Sequence, residues 1–211
     1  MRSTFLKAIF LVAILALGAN NEAFSSEISL AGKGGYFWFN EHANSQYPDN
    51  HIMDNEWGIG SYIRAKKDRL FARLDYEQVK TGGEFQSFFG PYEGVKENLR
   101  YLFGSSGIFL NELVYAGAGV GVGFHTFDIL TFAVHPVEEE HKTSFAAKVY
   151  LGAEKELWKN LFGFMECQYV YNEQAIKARV LEPGTFGKSN SFKLNEDLSF
   201  FSVWTGIGWK F

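Results

Sequence analysis

A single cysteine, Cys167, excludes an intrachain disulfide, and with no CxxC partner it excludes the usual thiolate metal site. It reads as a passive strand residue rather than a nucleophile. Proline is scarce at four residues against 22 glycines, which argues against a disordered chain. The basic excess that would mark a nucleic-acid partner is missing, since the formal net charge is -4. Beyond the N-terminal segment no apolar run is long enough for a membrane-spanning helix. Helical periodicity is poor as well.

What is abundant is aromatic: 22 Phe, 10 Tyr and 5 Trp make up 18% of the chain, while mean hydropathy is only -0.12. That combination fits a soluble β-sandwich, or a protein that alternates lipid-facing and water-facing side chains. The N-terminus carries Arg2 and Lys7, then an apolar run from Ala8 to Leu17, then polar residues from Asn20. Ten apolar residues are too few to span a bilayer and suit the h-region of a secretory signal peptide. Cleavage is expected after Ser25, with Ala19 as the alternative, so residues 1–25 form a signal peptide and 26–211 the mature domain. There is no lipobox cysteine.

Period-2 alternation recurs through the mature chain. Counting back from Phe211, one face reads Phe211, Trp209, Ile207, Thr205, Val203, Phe201 and the other Lys210, Gly208, Gly206, Trp204, Ser202, Phe200. Further strands are expected over 28–40, 57–66, 70–78, 95–103, 114–124 and 145–154, with a blurred seventh at 161–171 and the last over 198–211. In 95–103 the apolar set is Val95, Leu99, Tyr101 and Phe103, set against Lys96, Asn98 and Arg100.

The connections alternate in length. Long ones fall at 40–56, 80–95, 126–142 and 174–196. Short ones fall near Lys67-Asp68, Gly104-Ser105-Ser106-Gly107 and Leu157-Trp158-Lys159-Asn160, and residues 108–113 read as turn or strand. Four long and three short connections predict an all-β fold: an eight-stranded antiparallel up-and-down β-barrel with both termini on one side. Parity alone does not say which face points inward. The signal peptide, the lack of disulfides and the final Phe211 favour the transmembrane arrangement, with apolar residues on lipid and charges within.

Three stretches carry a resemblance to a known family: Val203-Trp204-Thr205-Gly206-Ile207-Gly208-Trp209-Lys210-Phe211, Val114 through Phe124 with its Tyr-x-Gly-x-Gly pattern, and Tyr150-Leu151-Gly152-Ala153-Glu154 followed by Glu166-Cys167-Gln168-Tyr169-Val170-Tyr171. They resemble the small OmpA-like, opacity-type outer-membrane β-barrels of Gram-negative bacteria. The resemblance implies an outer-membrane location reached through the periplasm. It implies that Phe211 and Trp209 form a signal read by the barrel-assembly machinery, with outer-membrane lipid and periplasmic chaperones as partners. The loops match no family pattern, so any loop ligand is open.

Candidate functional residues are few. Arg64, Arg73, Asp75, Glu77, Arg100, Lys148, Glu154 and Lys210 share the parity opposite to the apolar one, and Glu166 joins them on the blurred strand. They are expected to form an ion-pair network in the lumen, the alternative being solvated, weakly coupled charges. Glycines 117, 119, 121 and 123 lie in a strand with no following helix, which fails the context test for a nucleotide loop. Space for Tyr62 or Tyr150 is the better reason. Phe85, Phe88, Phe89 and Tyr92 on the second long connection suit a partner contact, or packing on neighbouring loops. His135-Pro-Val-Glu-Glu-Glu-His141 has metal-capable types without a standard spacing, and His42 and His51 are loop residues. His125 with Ser or Asp nearby would suit an outer-membrane lipid hydrolase, but the sequence assembles no triad. No cofactor or metal is expected. The reading is thus a non-catalytic surface or structural barrel. Its competitors are a narrow channel or carrier for small or apolar solutes, and a lipid-modifying enzyme. A general porin is disfavoured because eight strands enclose little more than their own side chains.

Overall fold

A computed structural model describes residues 27–39, 52–53, 55–87, 90–129, 140–181, 189–197 and 199–211. The signal peptide expected over 1–25 lies outside them. Among the described residues eleven strands occur in chain order: β1 Glu27–Phe39, β2 Ile52–Met53, β3 Glu56–Lys67, β4 Leu70–Ser87, β5 Gly90–Phe109, β6 Val114–Ile129, β7 Glu140–Trp158, β8 Leu161–Tyr171, β9 Glu173–Leu181, β10 Ser189–Asp197 and β11 Phe200–Lys210. Eight of them pair antiparallel around a closed ring, β1-β3-β4-β5-β6-β7-β8-β11 and back to β1. β2 adds a short rung on β4, and β9 and β10 pair with each other within the last long connection.

The register fixes the barrel's geometry. One row of paired residues runs Ser29, Arg64, Arg73, Ser105, Gly119, Lys148, Val170, Phe200 and returns to β1 at Phe39. The row therefore climbs ten residues in one circuit, from 29 to 39. For eight strands at ordinary spacings this shear sets a tilt of about 40°.

Period-2 patterning puts one side chain in two on each face. Outward lie Leu30, Ile59, Ile63, Leu74, Val120, Val149, Met165, Ile207 and Trp209, all exposed. An apolar surface of this breadth is incompatible with water and suits lipid. Large aromatics mark both rims. Trp158, Trp209 and Phe211 are exposed at the end with the short turns and termini, and Trp38, Trp57, Tyr171, Phe145 and Phe201 at the other. Tyr36 sits edge-on to Trp38 and Trp57, with ring centroids 4.8 and 5.2 Å apart. Aromatics at both interfaces are the ordinary way such a belt is anchored.

Two short turns lie where the sequence places them, with Asp68 and Lys159 in the left-handed region at φ 55° and 45°. The third does not. Gly104-Ser105-Ser106-Gly107 looks like a turn but runs through β5, and the reversal comes at 110–113. Ser105 and Gly107 face inward there. Ser105 Oγ donates to Asp75 at 3.0 Å, and a Cβ on Gly107 would collide with the Phe71 ring. Asn111 makes the true turn, its Oδ1 accepting from the backbone N–H groups of Leu113 and Val114 at 2.8 and 2.7 Å.

Several strands also outrun their expected ends. β4 leaves β3 at Val79 yet stays paired with β5 as far as Ser87 and Gly90, and β6 and β7 stay paired out to Phe127 and Glu140. The 80–95 connection is thus mostly strand, and the wall stands taller on the β4–β7 side.

Candidate functional site

The interior is stacked in layers. Nearest the short turns, Arg64 bonds Glu154 through Nη1 and Nη2, the latter at 3.1 Å, and its Nε donates to Ser29 Oγ at 3.2 Å. Lys210 completes the rim at 3.8 Å from Glu154 and 3.6 Å from Glu27. Around the guanidinium pack the rings of Tyr62, Phe71, Phe109 and Phe162, between 5.3 and 5.9 Å from it.

At mid-height six ionised side chains meet: Lys33, Arg73 and Lys148 against Asp75, Glu77 and Glu166. All have 0% side-chain exposure. Arg73 forks onto Glu166 at 2.6 and 3.1 Å while its Nε reaches Asp75 at 3.0 Å. Lys33 and Lys148 share Glu77 Oε1 at 2.8 and 2.9 Å, and Lys148 also lies 3.2 Å from Asp75. Neutral groups fill the remaining acceptor sites. Tyr115 donates to Glu166 at 3.0 Å and Gln168 to Glu77 at 2.7 Å. Three cations against three anions, each with several partners, is the arrangement in which buried charge is tolerated.

Above the cluster lies an apolar layer of Phe37, Phe39, Val79, Leu99, Tyr101, Phe103, Ala146, Val170, Phe200 and Trp204. A polar group from β5, β6, β7 and the end of β8 lies beyond that layer. His125 Nε2 and Ser144 Oγ are 2.6 Å apart, and Asn172 Nδ2 lies 3.4 Å from the same His125 nitrogen and donates to Tyr101 at 3.0 Å.

Of the residues expected to share the lumen, Arg64, Arg73, Asp75, Glu77, Lys148, Glu154 and Lys210 sit there, with Glu166 among them. Arg100 does not. It is exposed, while Leu99, Tyr101 and Phe103 beside it are buried. The parity argument fails on β5 because its apolar residues are needed inside, and Arg100, paired with Gln78 and Phe124, lies towards the long-loop end of the belt. At such a position a long cationic stem is able to reach lipid headgroups.

Lys33, Tyr115 and Gln168 are members that sequence reasoning misses. Lys33 lies on a glycine-rich strand whose parity the sequence leaves unresolved. Counting from Ile28, Leu30 and Trp38, which face out, places it inside. The glycine row of β6 does make room for tyrosine: a Cβ on Gly117 would strike Tyr150, though none of the row meets Tyr62. Cys167 is exposed on the outer face. Phe88 and Phe89 lie outside the described residues, as do His42, His51 and His135. Phe85 and Tyr92 fall on β4 and β5. Among the described residues no His, Cys, Asp and Glu group forms a metal cluster.

No protein-family model matches the sequence, and no curated protein matches it. Solved structures do. The outer-membrane protein OprG of Pseudomonas aeruginosa superimposes with a TM-score of 0.66 at 16% identity, covering 88% of this chain and 96% of that one. A major outer-membrane protein of Thermus thermophilus gives 0.62 at 9% identity, covering 89% and 100%. The fold is that of the small outer-membrane β-barrels. Ail, the attachment invasion locus protein of Yersinia pestis, has the same architecture with a TM-score of 0.50 at 14% identity, covering 89% and 100%. These neighbours are bacterial outer-membrane proteins, and the barrel's apolar belt agrees with that location.

Proposed function

We propose that this outer-membrane barrel is a non-catalytic protein of the surface or structural type, with its lumen plugged and its four long connections facing the outside. The supporting observation is the six-charge cluster. Its side chains have no exposure and bridge strands on opposite walls, as in the contact Arg73–Glu166 between β4 and β8, which the Gln168–Glu77 hydrogen bond repeats. A hydrated pore would leave these charges wet. The similarity to an attachment invasion locus protein fits a surface role. In this reading the partners are outer-membrane lipid, the periplasmic chaperones and the assembly machinery that reads Trp209 and Phe211.

The test is conductance in planar bilayers together with the stability of Arg73→Ala. Wild type should show no steady current. The variant strands Glu166 and should lose about 3–5 kcal/mol. A steady wild-type current with a neutral Arg73→Ala would defeat the plug and promote the channel reading.

A second reading rests on the Ser144–His125 contact, which has the geometry of a nucleophile and its base. His125 is 1% exposed and faces the lumen rather than lipid, which makes this the weaker reading. Labelling of Ser144 by a fluorophosphonate, lost in His125→Ala, would establish it.

A further inference from the structure

Three buried polar groups directly beside the plug have no hydrogen-bond partner among the described residues: Gln168 Oε1, Ser202 Oγ and Trp204 Nε1. They belong to neighbouring strands. Ser202 and Gln168 are register partners across β11 and β8, and Trp204 is the next inward residue of β11. All three are buried, at 1%, 0% and 0% exposure.

Each group is also pinned. Gln168 donates through Nε2 to Glu77 at 2.7 Å. Flipping its amide would set an oxygen against the carboxylate, so Oε1 must point away. Trp204 is held by Phe37, with ring centroids 5.0 Å apart, by the Lys33 ammonium 4.4 Å from its own centroid, and by Gly35, where a Cβ would lie 2.6 Å from the indole. Ser202 stands between Gln168 and Phe37 in the row, where an alanine would serve equally well if packing were the only demand.

We infer that the seam between β8 and β11 is a built site for one tightly bound water, held by Gln168, Ser202 and Trp204 on the upper flank of the plug. The chemistry is complementary. The indole N–H only donates, the amide oxygen only accepts, and the hydroxyl does either, so one water finds about three partners, the usual number for a buried water. Gln168 Oε1 and Ser202 Oγ are paired across the ladder yet neither bonds the other or any other described group, which leaves a one-water bridge as the way to satisfy both. Through Gln168 this water joins the hydrogen-bond network of Glu77, so the site deepens the plug reading and rests on it.

The sign of a substitution decides the matter. If the hydroxyl is an unpaired buried group, Ser202→Ala relieves a desolvation cost and raises stability. If it holds a water, Ser202→Ala lowers stability. Thermal unfolding of the SDS-resistant band should therefore drop by about 2–4 °C in Ser202→Ala. In nanodiscs, the Trp204 indole proton, identified by its loss in Trp204→Phe, should show a direct cross-relaxation peak to water of long residence. An unchanged or raised midpoint overturns the inference, as does an indole proton with no water peak. Neither measurement reads conductance, so a failure here is distinguishable from a failure of the plug.

Discussion

At the residue scale, one residue type has opposite consequences on the two faces of one wall. Arg73 and Arg100 are both strand arginines of the barrel. Arg73 is enclosed by Asp75, Glu166 and the Tyr62 and Tyr150 rings, whose centroids lie 4.8 and 4.2 Å away. Arg100 faces out. Arg100→Ala is expected to change unfolding free energy by less than about 0.5 kcal/mol, against the large loss in Arg73→Ala. Equal effects measured in one urea titration series would refute the assignment of faces on β5. Gly117 offers the complementary test. Any Cβ there meets the Tyr150 hydroxyl and the Ser106 carbonyl, so Gly117→Ala should cost about 1–3 kcal/mol by overpacking. Tyr150→Ala added to it should return part of that loss, giving a non-zero coupling in a double-mutant cycle.

At the level of the strand, the outward parity is the feature that membrane insertion reads. Val120 is 58% exposed in the belt, and Val120→Arg should destabilise the folded barrel in bilayers by about 2–4 kcal/mol. Folding as stable as wild type would place that face elsewhere. β11 carries a separate burden. Phe211 is 74% exposed, and its backbone N–H donates to the Ile28 carbonyl at 2.8 Å, so its side chain packs little. Deleting Phe211 should reduce outer-membrane yield in cells far more than refolding yield in detergent. Equal losses in the two assays would reject an assembly role.

The strands themselves are legible in the sequence because one face in two is apolar on β3, β6, β7 and β11. β5 misleads because there the apolar set, Leu99, Tyr101 and Phe103, faces inward, and alternation by itself does not say which face is which. The false turn at 104–107 arises because glycine and serine serve close packing as well as chain reversal. The polar lumen is largely readable, since charged residues must sit opposite the lipid-facing set. Who pairs with whom is not, because Arg64–Glu154 and Arg73–Glu166 join strands 90 and 93 residues apart.

At the scale of the whole molecule, the ten-residue climb around eight strands fixes a narrow bore, and layered rings, charges and amides fill it. That separation in sequence also bears on the order of events during assembly. Lys33 lies on the first strand, Asp75 and Glu77 on β4, and Glu166 late on β8. A half-built sheet therefore presents one side of the network and lacks the other. The contacts Arg73–Asp75 and Lys33–Glu77 lie within its first three barrel strands, but the partners Lys148 and Glu166 arrive only with β7 and β8, and water serves in their place until β1 meets β11 and the lumen closes. Expulsion of that water and completion of the six-charge network thus fall in a single late step. Partly closed barrels should be hydrated, open to proteolysis and scarcely populated, and the finished protein should unfold as one cooperative unit.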